Sequence, residues 1–334
     1  MNGPSETSRQ IFEYHPKLGR RFIPGIKARI PHESGGYLIR VNGMGFRNDR
    51  ELNTPRGPDV RRVALFGDSF TAGDGVSNGK RFGDLLESLI PRLEVFNFGV
   101  PGTGTDEQYL AYQELRGDVD ADLLVIAMNI ENLRRNSSRY LEFLDDRGVL
   151  GLYPKPYFEL HDGQLVLGAI PARRDPITEA EVSPEERALI DKRGRYQGLR
   201  KAVNAIGLKD IVQRLTRYQP LPEYDDPTHP SWLLTRAILE QWIRMHGGPV
   251  LVIPLPMYMY IEGNSDPSGY QARYRELAAA TACTVHDPLP DLLAYTPKER
   301  RSFRHATDVH PSARGHEAFA KSISPVVERL LTGR

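Results

Sequence analysis

Short apolar runs alternate with amphipathic segments along most of the chain beyond residue 60. The apolar runs lie at residues 63–66, 93–98, 123–128, 250–255 and 284–287. Runs that show no polar alternation predict strands buried on both faces, which is typical of a parallel sheet. The segments between them predict helices at 82–90, 107–116, 231–246, 271–280 and 316–331. This order of strands and helices predicts right-handed crossovers and a three-layer α/β core.

Two parts of the chain depart from this alternation of strands and helices. Residues 12–50 are rich in Gly, Pro and Arg, and the alternating piece at 37–41 predicts a small hairpin. We therefore expect residues 1–58 to form an N-terminal β appendage with a connector, and 59–334 to form the α/β domain. Residues 147–230 break the rhythm again, so we expect them to form an inserted, cap-like segment that shapes access to a substrate.

Two local signals lie within the predicted insertion. Asp162-Gly163 separates the apolar runs 157–160 and 164–167, and this pattern predicts a hairpin. A helix is predicted further on, at 209–217.

Composition restricts the partners and the compartment. With 44 basic and 43 acidic residues in 334, the net charge of +1 gives no electrostatic case for nucleic acid. The single cysteine, Cys283, excludes an internal disulfide and a multi-cysteine metal site, and its apolar setting predicts a buried structural thiol. Since no apolar stretch has the length of a signal peptide or a transmembrane span, we expect a cytoplasmic protein. The oligomeric state stays open.

The first apolar run ends abruptly in the sequence Gly67-Asp68-Ser69. Ligands of open α/β sheets bind at the carboxyl edge of the strands, so the hydroxyl of Ser69 is a candidate nucleophile. A serine after an aspartate is also a common turn former or helix cap. A nucleophilic serine needs a base, a group that orients the base, and donors for an oxyanion, and these have to come from elsewhere.

The stretch DVHPSARGHEAF supplies a candidate base near the carboxyl end of the chain. Asp308 and His310 lie just before the last predicted helix, in a segment that Pro311 keeps out of the helix. Taken alone, the pair also fits a helix N-cap and a surface imidazole. His305 could line the same pocket, whereas the position of His316 within the helix is more typical of packing or capping.

Four sequence blocks occur in order over residues 61–334. They are Gly67-Asp-Ser69, Asn97-Phe-Gly-Val-Pro-Gly102, an Asn-containing turn after the third strand, and Asp308-Val-His310-Pro. In these blocks the chain resembles the SGNH (GDSL-type) hydrolases. The resemblance implies a flavodoxin-like parallel sheet, the SGNH hydrolase fold, and hydrolysis of esters through an acyl-serine. It also implies that neither a metal nor an organic cofactor takes part.

The resemblance assigns a role to the matching residues. Ser69 would be the nucleophile, and its own backbone N–H would donate to the oxyanion. Gly102 would present a second backbone N–H, since glycine lets the main chain approach closely. His310 would be the base and Asp308 would hold its other nitrogen. Asp68 is expected to hydrogen-bond within the turn.

The third block departs from the family pattern, which usually reads Gly-x-Asn-Asp. The chain reads AMNIENLRR, and a strict register places Glu131 at the donor position, where an ionised carboxylate would oppose an oxyanion. We expect Asn132 to be the side-chain donor, reached by a one-residue bulge, with Asn129 as the alternative. Arg134 and Arg135 could neutralise Glu131, bind an anionic substrate group, or form a solvated helix face.

These observations favour a serine esterase that removes a short acyl group from an oxygen of a small molecule or carbohydrate. An acyltransferase would use the same residues, and a catalytically silent binding module would explain Glu131. A flavodoxin-like nucleotide binder would need a phosphate-binding glycine loop, which Gly73-Asp-Gly75 imitates poorly. The run Met257-Tyr-Met-Tyr260 could form an apolar wall of the substrate site or pack in the core.

Overall fold

The computed structural model describes residues 10–145, 147–182 and 219–333. Its strands are β1 (Phe12–His15), β2 (Gly19–Phe22), β3 (Lys27–Ile30), β4 (Tyr37–Arg40), β5 (Arg61–Gly67), β6 (Leu93–Asn97), β7 (Leu123–Asn129), β8 (Tyr140–Leu144), β9 (Leu150–Pro154), β10 (Tyr157–His161), β11 (Gln164–Gly168), β12 (Val250–Leu255) and β13 (Thr284–Val285). Its helices are α1 (Ser69–Ala72), α2 (Phe82–Leu89), α3 (Thr105–Leu115), α4 (Asn132–Asn136), α5 (Pro230–His246), α6 (Tyr258–Ile261), α7 (Ser268–Ala280), α8 (Leu289–Leu293), α9 (Pro297–Arg301) and α10 (Ala313–Thr332). Two short 3-10 helices lie at Glu179–Glu181 and Pro222–Tyr224.

The predicted parallel sheet is confirmed. Its five strands lie in the order β13-β12-β7-β5-β6, and every neighbouring pair is parallel. All residues of β7 and β12 are buried, and only the first residue of β5 is exposed. Burial on both faces explains why these strands lack polar alternation. Cys283, just before β13, is buried and free, as its apolar setting predicts.

Helices cover both faces of this sheet. Consecutive residues of a strand point to opposite faces, and in β5 this separates Leu65 from Phe66. A Cβ at Gly83 of α2 would lie 2.7 Å from Leu65 Cδ2. Phe66 packs edge-on against Tyr112 of α3 and Trp242 of α5 on the other face. Since α10 packs on α2, and α4 packs on α3 and α5, the molecule has the expected three layers.

The predicted helices of the sheet domain are all present, with ends that differ by up to three residues. The last strand is shorter than the predicted 284–287. It ends at Val285, and after two further residues Pro288 begins the approach to α8, where the carboxylate of Asp287 accepts from the backbone N–H of Leu289. The helix predicted at 209–217 lies outside the described residues. Within the described residues, no helix combines the length and the apolar character needed to cross a membrane.

The N-terminal residues form two antiparallel hairpins, β1-β2 and β3-β4. The second contains the predicted alternating piece, whereas the first was not predicted. The segment after β4 is held to the sheet domain by Arg47, a fully buried side chain whose guanidinium donates to the carbonyl oxygens of Ala72, Gly73 and Val76. The appendage therefore touches the turn that follows α1. The division of the chain at residue 58 stays a prediction.

Two more antiparallel hairpins, β8-β9 and β10-β11, follow α4. The second is the hairpin predicted from Asp162-Gly163, and both turn residues have positive φ, as a type I′ turn requires. The first was not predicted and starts before residue 147. Lys155, between the hairpins, is buried and paired with Asp106 and Glu107 of α3. This cluster of three charges attaches this part of the chain to the helix layer.

Candidate active site

The turn after β5 presents Ser69 as the first residue of α1. Asp68 is the N-cap of this short helix, and its Oδ1 accepts from the backbone N–H of Phe70 at 3.0 Å. An aspartate cap satisfies a helical N–H that would otherwise lack a partner, so the chain leaves the strand and enters a helix at this point. Ser69 is only 4% exposed, at the carboxyl end of a central strand.

A row of hydrogen bonds joins Ser69 to two residues from the other end of the chain. Ser69 Oγ lies 2.8 Å from His310 Nε2, and His310 Nδ1 lies 2.6 Å from Asp308 Oδ1. The backbone N–H of His310 donates to the same oxygen at 3.1 Å. Ring and backbone of His310 thus bind one carboxylate oxygen, which the spacing Asp-x-His makes possible. The structure brings the predicted nucleophile, base and carboxylate together.

Nearby charged groups and hydrogen bonds determine the protonation of His310 and Asp308. Burial lowers the pKa of His310, but the hydrogen bond to Asp308 and the charges of Asp74, Asp308 and Asp68 outweigh it, so the pKa is raised above its usual 6.5. Burial raises the pKa of Asp308, and the hydrogen bonds and charge of His310 outweigh this, so its pKa is well below the usual range. Asp308 is therefore ionised, and the imidazolium form of His310 is stabilised.

Gly102 lies in the loop between β6 and α3, with a φ of +77° that favours glycine. The guanidinium of Arg20, from β2, donates to the carbonyl of Pro101. A Cβ at position 102 would collide with Arg20 Nη2. The backbone conformation therefore favours glycine, and a side chain at this position would also have to push the Arg20 guanidinium aside. Gly99 has a structural reason instead, since a Cβ there would lie 2.8 Å from the backbone carbon of Thr71.

The third block places its two asparagines differently. Asn129 ends β7, and its Oδ1 accepts from the backbone N–H of Glu131 at 3.0 Å, so its carbonyl is used within the turn. Glu131 occupies the N-cap position of α4. Asn132 is the first residue of α4 and is fully buried, and neither its Nδ2 nor its Oδ1 has a hydrogen-bond partner. A buried amide without partners is costly and therefore calls for an explanation.

The two arginines of this block lie beside carboxylates of other elements. Arg134 pairs with Glu223 through two hydrogen bonds of 2.5 and 2.9 Å. Arg135 Nη1 lies 2.9 Å from Oδ2 of Asp68, whose pKa is raised by burial. The guanidinium of Arg135 thus faces the buried carboxylate that caps α1. It links the third block to the serine turn.

The model of the GDSL-like lipase/acylhydrolase family matches residues 65–318, which include Ser69, Asp308 and His310. The chain belongs to this family. Because this family model covers most of the chain and the sheet it covers is the parallel sheet described above, the protein is a hydrolase enzyme with the SGNH α/β fold. No curated protein sequence matches the chain.

Several solved structures match the chain at low sequence identity. A lipolytic G-D-S-L family protein of Veillonella parvula is 14% identical with a TM-score of 0.43, covering 81% of this chain and 100% of its own. A lipase/acylhydrolase of Enterococcus faecalis is 18% identical with a TM-score of 0.41, covering 80% and 96%. The esterase EstA of a Pseudoalteromonas species is 8% identical with a TM-score of 0.42, covering 81% and 99%.

Three further histidines of this GDSL hydrolase lie in or near the site: His305, His316 and His32. The ring of His305 packs edge-on against His32 at 4.4 Å. His316 is fully buried in α10, and its Nδ1 accepts from the backbone N–H of Phe82 at 3.2 Å. Burial lowers the pKa of His316 to about 3, so the ring stays neutral. His32, which binds Asp308, was missed because the segment between β3 and β4 carries no motif.

An apolar cleft lies beside the histidine of the row. Phe70 and Val309 line it together with Tyr258, and the ring of Phe70 packs at 5.5 Å from His310. Tyr258 belongs to the aromatic run at 257–260, whose Met259 is fully buried. The run therefore contributes both to the cleft and to the core.

Among the described residues, one group could hold a metal ion. The ligand atoms of His32, Glu33 and His305 lie within 4.8 Å of one another. His32 Nε2 is already bonded to Asp308, and the carboxylate of Glu33 accepts from Thr307. A metal would have to displace these hydrogen bonds, so the geometry favours their role as protein contacts.

Proposed function

We propose that this GDSL hydrolase is a serine esterase that removes a short acyl group from an oxygen of a small molecule or carbohydrate. The observation that carries the proposal is the row of hydrogen bonds from Ser69 Oγ through His310 to Asp308 Oδ1. Its two steps of 2.8 and 2.6 Å lie within the reach needed for proton transfer.

The row supplies the parts of an acyl-serine mechanism. Ser69 Oγ attacks the ester carbonyl while its proton passes to Nε2 of His310. The tetrahedral intermediate collapses, the bond to the alcohol oxygen breaks, and the alcohol leaves with that proton. Water then attacks the acyl-serine and gives a proton to His310. The bond to Ser69 Oγ breaks, His310 returns the proton to Oγ, and the carboxylic acid leaves. Asp308 accepts from Nδ1–H throughout and stabilises the imidazolium.

The oxyanion would be held by three donors. Two are the backbone N–H groups of Ser69 and Gly102, and the third is the side-chain amide of Asn132. The unpartnered, buried amide of Asn132 supports this choice, since an oxyanion would give its Nδ2 the acceptor it lacks. Asn129, the alternative, already uses its side-chain oxygen within the turn.

Hydrolysis and acyl transfer share these residues and differ in the acceptor of the acyl group. Water gives hydrolysis, and a second hydroxyl compound gives transfer. We assign hydrolysis because the chain belongs to a lipase/acylhydrolase family.

Labelling by a fluorophosphonate probe, read by intact mass, tests the nucleophile. The wild type and a control Ser324→Ala should each take one adduct, because Ser324 lies in α10, where its hydroxyl donates to the carbonyl of Lys321 in the preceding turn. Ser69→Ala should take none and should lose hydrolysis of p-nitrophenyl acetate. A folded wild type without an adduct would overturn the proposal and favour a binding module.

A further inference from the structure

The carboxylate of Asp308 binds two imidazoles. Its Oδ1 faces His310, and its Oδ2 lies 3.2 Å from Nε2 of His32. His32 comes from the connection between β3 and β4, 276 positions away from Asp308 along the chain. Its side chain is only 11% exposed. The N-terminal appendage thus reaches the catalytic carboxylate directly.

The backbone fixes which nitrogen of His32 carries the proton. The backbone N–H of Ser34 donates to His32 Nδ1 at 3.2 Å. A backbone N–H can only donate, so Nδ1 is the acceptor, and the proton of the neutral ring lies on Nε2. That nitrogen faces Asp308, so the contact is an N–H group that donates to an ionised carboxylate. Such charge-assisted bonds are stronger than neutral ones.

The neighbouring residue holds the backbone of the same loop. Glu33 Oε1 accepts from the backbone N–H groups of Thr307 and Asp308, both at 2.9 Å. On its other side the ring of His32 packs against His305. Segment 32–34 therefore fixes both the main chain and the carboxylate of Asp308. A contact that only filled space would not need this set of directed bonds.

We infer that His32 is a positioning residue of this enzyme, which acts through Asp308 and holds its carboxylate in the orientation that binds His310. The inference rests on the proposed function, in which His310 is the base. It makes the N-terminal appendage a part of the catalytic machinery.

The loss of His32 would change the base in a defined direction. The donor on Oδ2 draws negative charge away from Oδ1, so its removal makes Oδ1 a stronger acceptor for the imidazolium of His310. The other charged groups that face His310 are Asp68 and Asp74, and they are unaltered by the change. Beside His32 lie Glu33, the next residue in the chain, and His305 from the loop that carries Asp308. The carboxylate would also gain freedom to rotate.

Three variants test the inference. His32→Ala removes the donor, and His32→Gln retains an amide N–H close to the position of Nε2. His161→Ala removes a histidine from the exposed hairpin β10-β11 as a control. Each variant is compared with the wild type in kcat and KM for p-nitrophenyl acetate, in the rate of fluorophosphonate labelling, and in the titration of His310 followed by 15N NMR.

We expect His32→Ala to lower kcat and the labelling rate about tenfold with an unchanged KM, since the base is misplaced while the substrate site is intact. The titration midpoint of His310 should shift to higher pH in this variant. His32→Gln should restore kcat to within about threefold of the wild type and return the midpoint. His161→Ala should match the wild type throughout.

Two results would overturn the inference. One is a folded His32→Ala with wild-type kcat, labelling rate and His310 midpoint. The other is a folded His32→Gln variant whose kcat is about tenfold or more below that of the wild type. Because this comparison is with the wild type, it also decides the matter if the alanine variant does not fold. A wild type that is not labelled by the fluorophosphonate would instead contradict the proposed function. The titration of His310 would then still decide whether His32 acts through Asp308.

Discussion

At the scale of single residues, the charge state of His310 links the site to pH. As the proposed base, His310 has to be neutral to accept a proton from Ser69. Its pKa is raised above 6.5 because the hydrogen bond to Asp308 and nearby carboxylates outweigh burial. Activity should therefore be lost as the pH falls through a value above 6.5, where the ring becomes protonated. The hydrogen bond between His310 and Asp308 is strongest below that pH, where the imidazole is protonated.

The pH dependence of kcat/KM checks this expectation. Measured between pH 5 and 9 on a neutral ester, it should rise with a single apparent pKa above 6.5. Circular dichroism at the same pH values controls for unfolding. An apparent pKa below 6.5 would contradict the assigned charge environment.

The buried amide of Asn132 leads to a second expectation. Asn132→Ala should lower kcat on the order of a hundredfold, as the loss of an oxyanion donor does. It should not lower the free energy of unfolding appreciably, because the removed polar atoms have no partners in the folded protein.

Asn129→Ala is the matched variant. It removes the oxygen that accepts from the backbone N–H of Glu131, so it should lower the free energy of unfolding by about 1 kcal/mol. Urea denaturation and ester hydrolysis measure both effects. If Asn129→Ala lowered kcat more than Asn132→Ala, Asn129 would be the oxyanion donor. The expectation that a one-residue bulge brings Asn132 to this position would then be wrong.

At the scale of elements, the junction of β5 and α1 depends on Asp68. Asp68→Ala removes the cap on Phe70 and the partner of Arg135, so it should lower the free energy of unfolding by about 1–2 kcal/mol. Asp68→Asn keeps an oxygen for the cap and should retain most of the stability. Urea midpoints of the two variants give the comparison. Equal losses in both would show that charge, and not capping, is the main contribution of Asp68.

The elements that the sequence predicts well are those with local causes. The central strands are continuous apolar runs, and the helices between them carry apolar residues at helical spacing, so both were predicted to within a few residues. Hairpin β10-β11 follows from its Asp-Gly turn. Hairpin β1-β2 was not predicted. An arginine in a sequence is normally expected to be exposed, but Arg20 is only 5% exposed because its guanidinium donates to the carbonyl of Pro101.

At the scale of the whole molecule, a buried charge cluster joins the hairpins after α4 to the helix layer. Lys155 pairs with Asp106 and Glu107, and all three side chains are buried. Lys155→Met should lower the free energy of unfolding by about 3–5 kcal/mol at pH 7.5, because two carboxylates remain without their cation. Burial and Glu107 raise the pKa of Asp106 even with Lys155 present. The difference in free energy of unfolding between the wild type and Lys155→Met should therefore become smaller as the pH falls and Asp106 takes up a proton.

The exposed pair of Lys17 and Glu114 provides the control. Lys17→Met should change the free energy of unfolding by less than about 1 kcal/mol, as is usual for surface pairs. Urea denaturation of both variants at pH 5.5 and 7.5 gives the comparison. A similar small change in both would mean that the buried cluster contributes little to stability.

The site itself was predictable only in part. The blocks around Ser69 and His310 carry a recognisable order, so their proximity could be expected from the sequence. The third block could not be resolved, since the choice between Asn129 and Asn132 depends on which amide the turn after β7 uses. His32 could not be expected at all. Its partner is 276 positions away, and no local pattern records such a contact.

The row that joins Ser69 and His310 spans 241 positions of the chain. A ribosome synthesises the serine turn 241 residues before the histidine loop. Until that loop has emerged and docked, the nascent chain carries Ser69 without the base that we propose for it. Under this proposal, hydrolysis begins only after translation has passed residue 310.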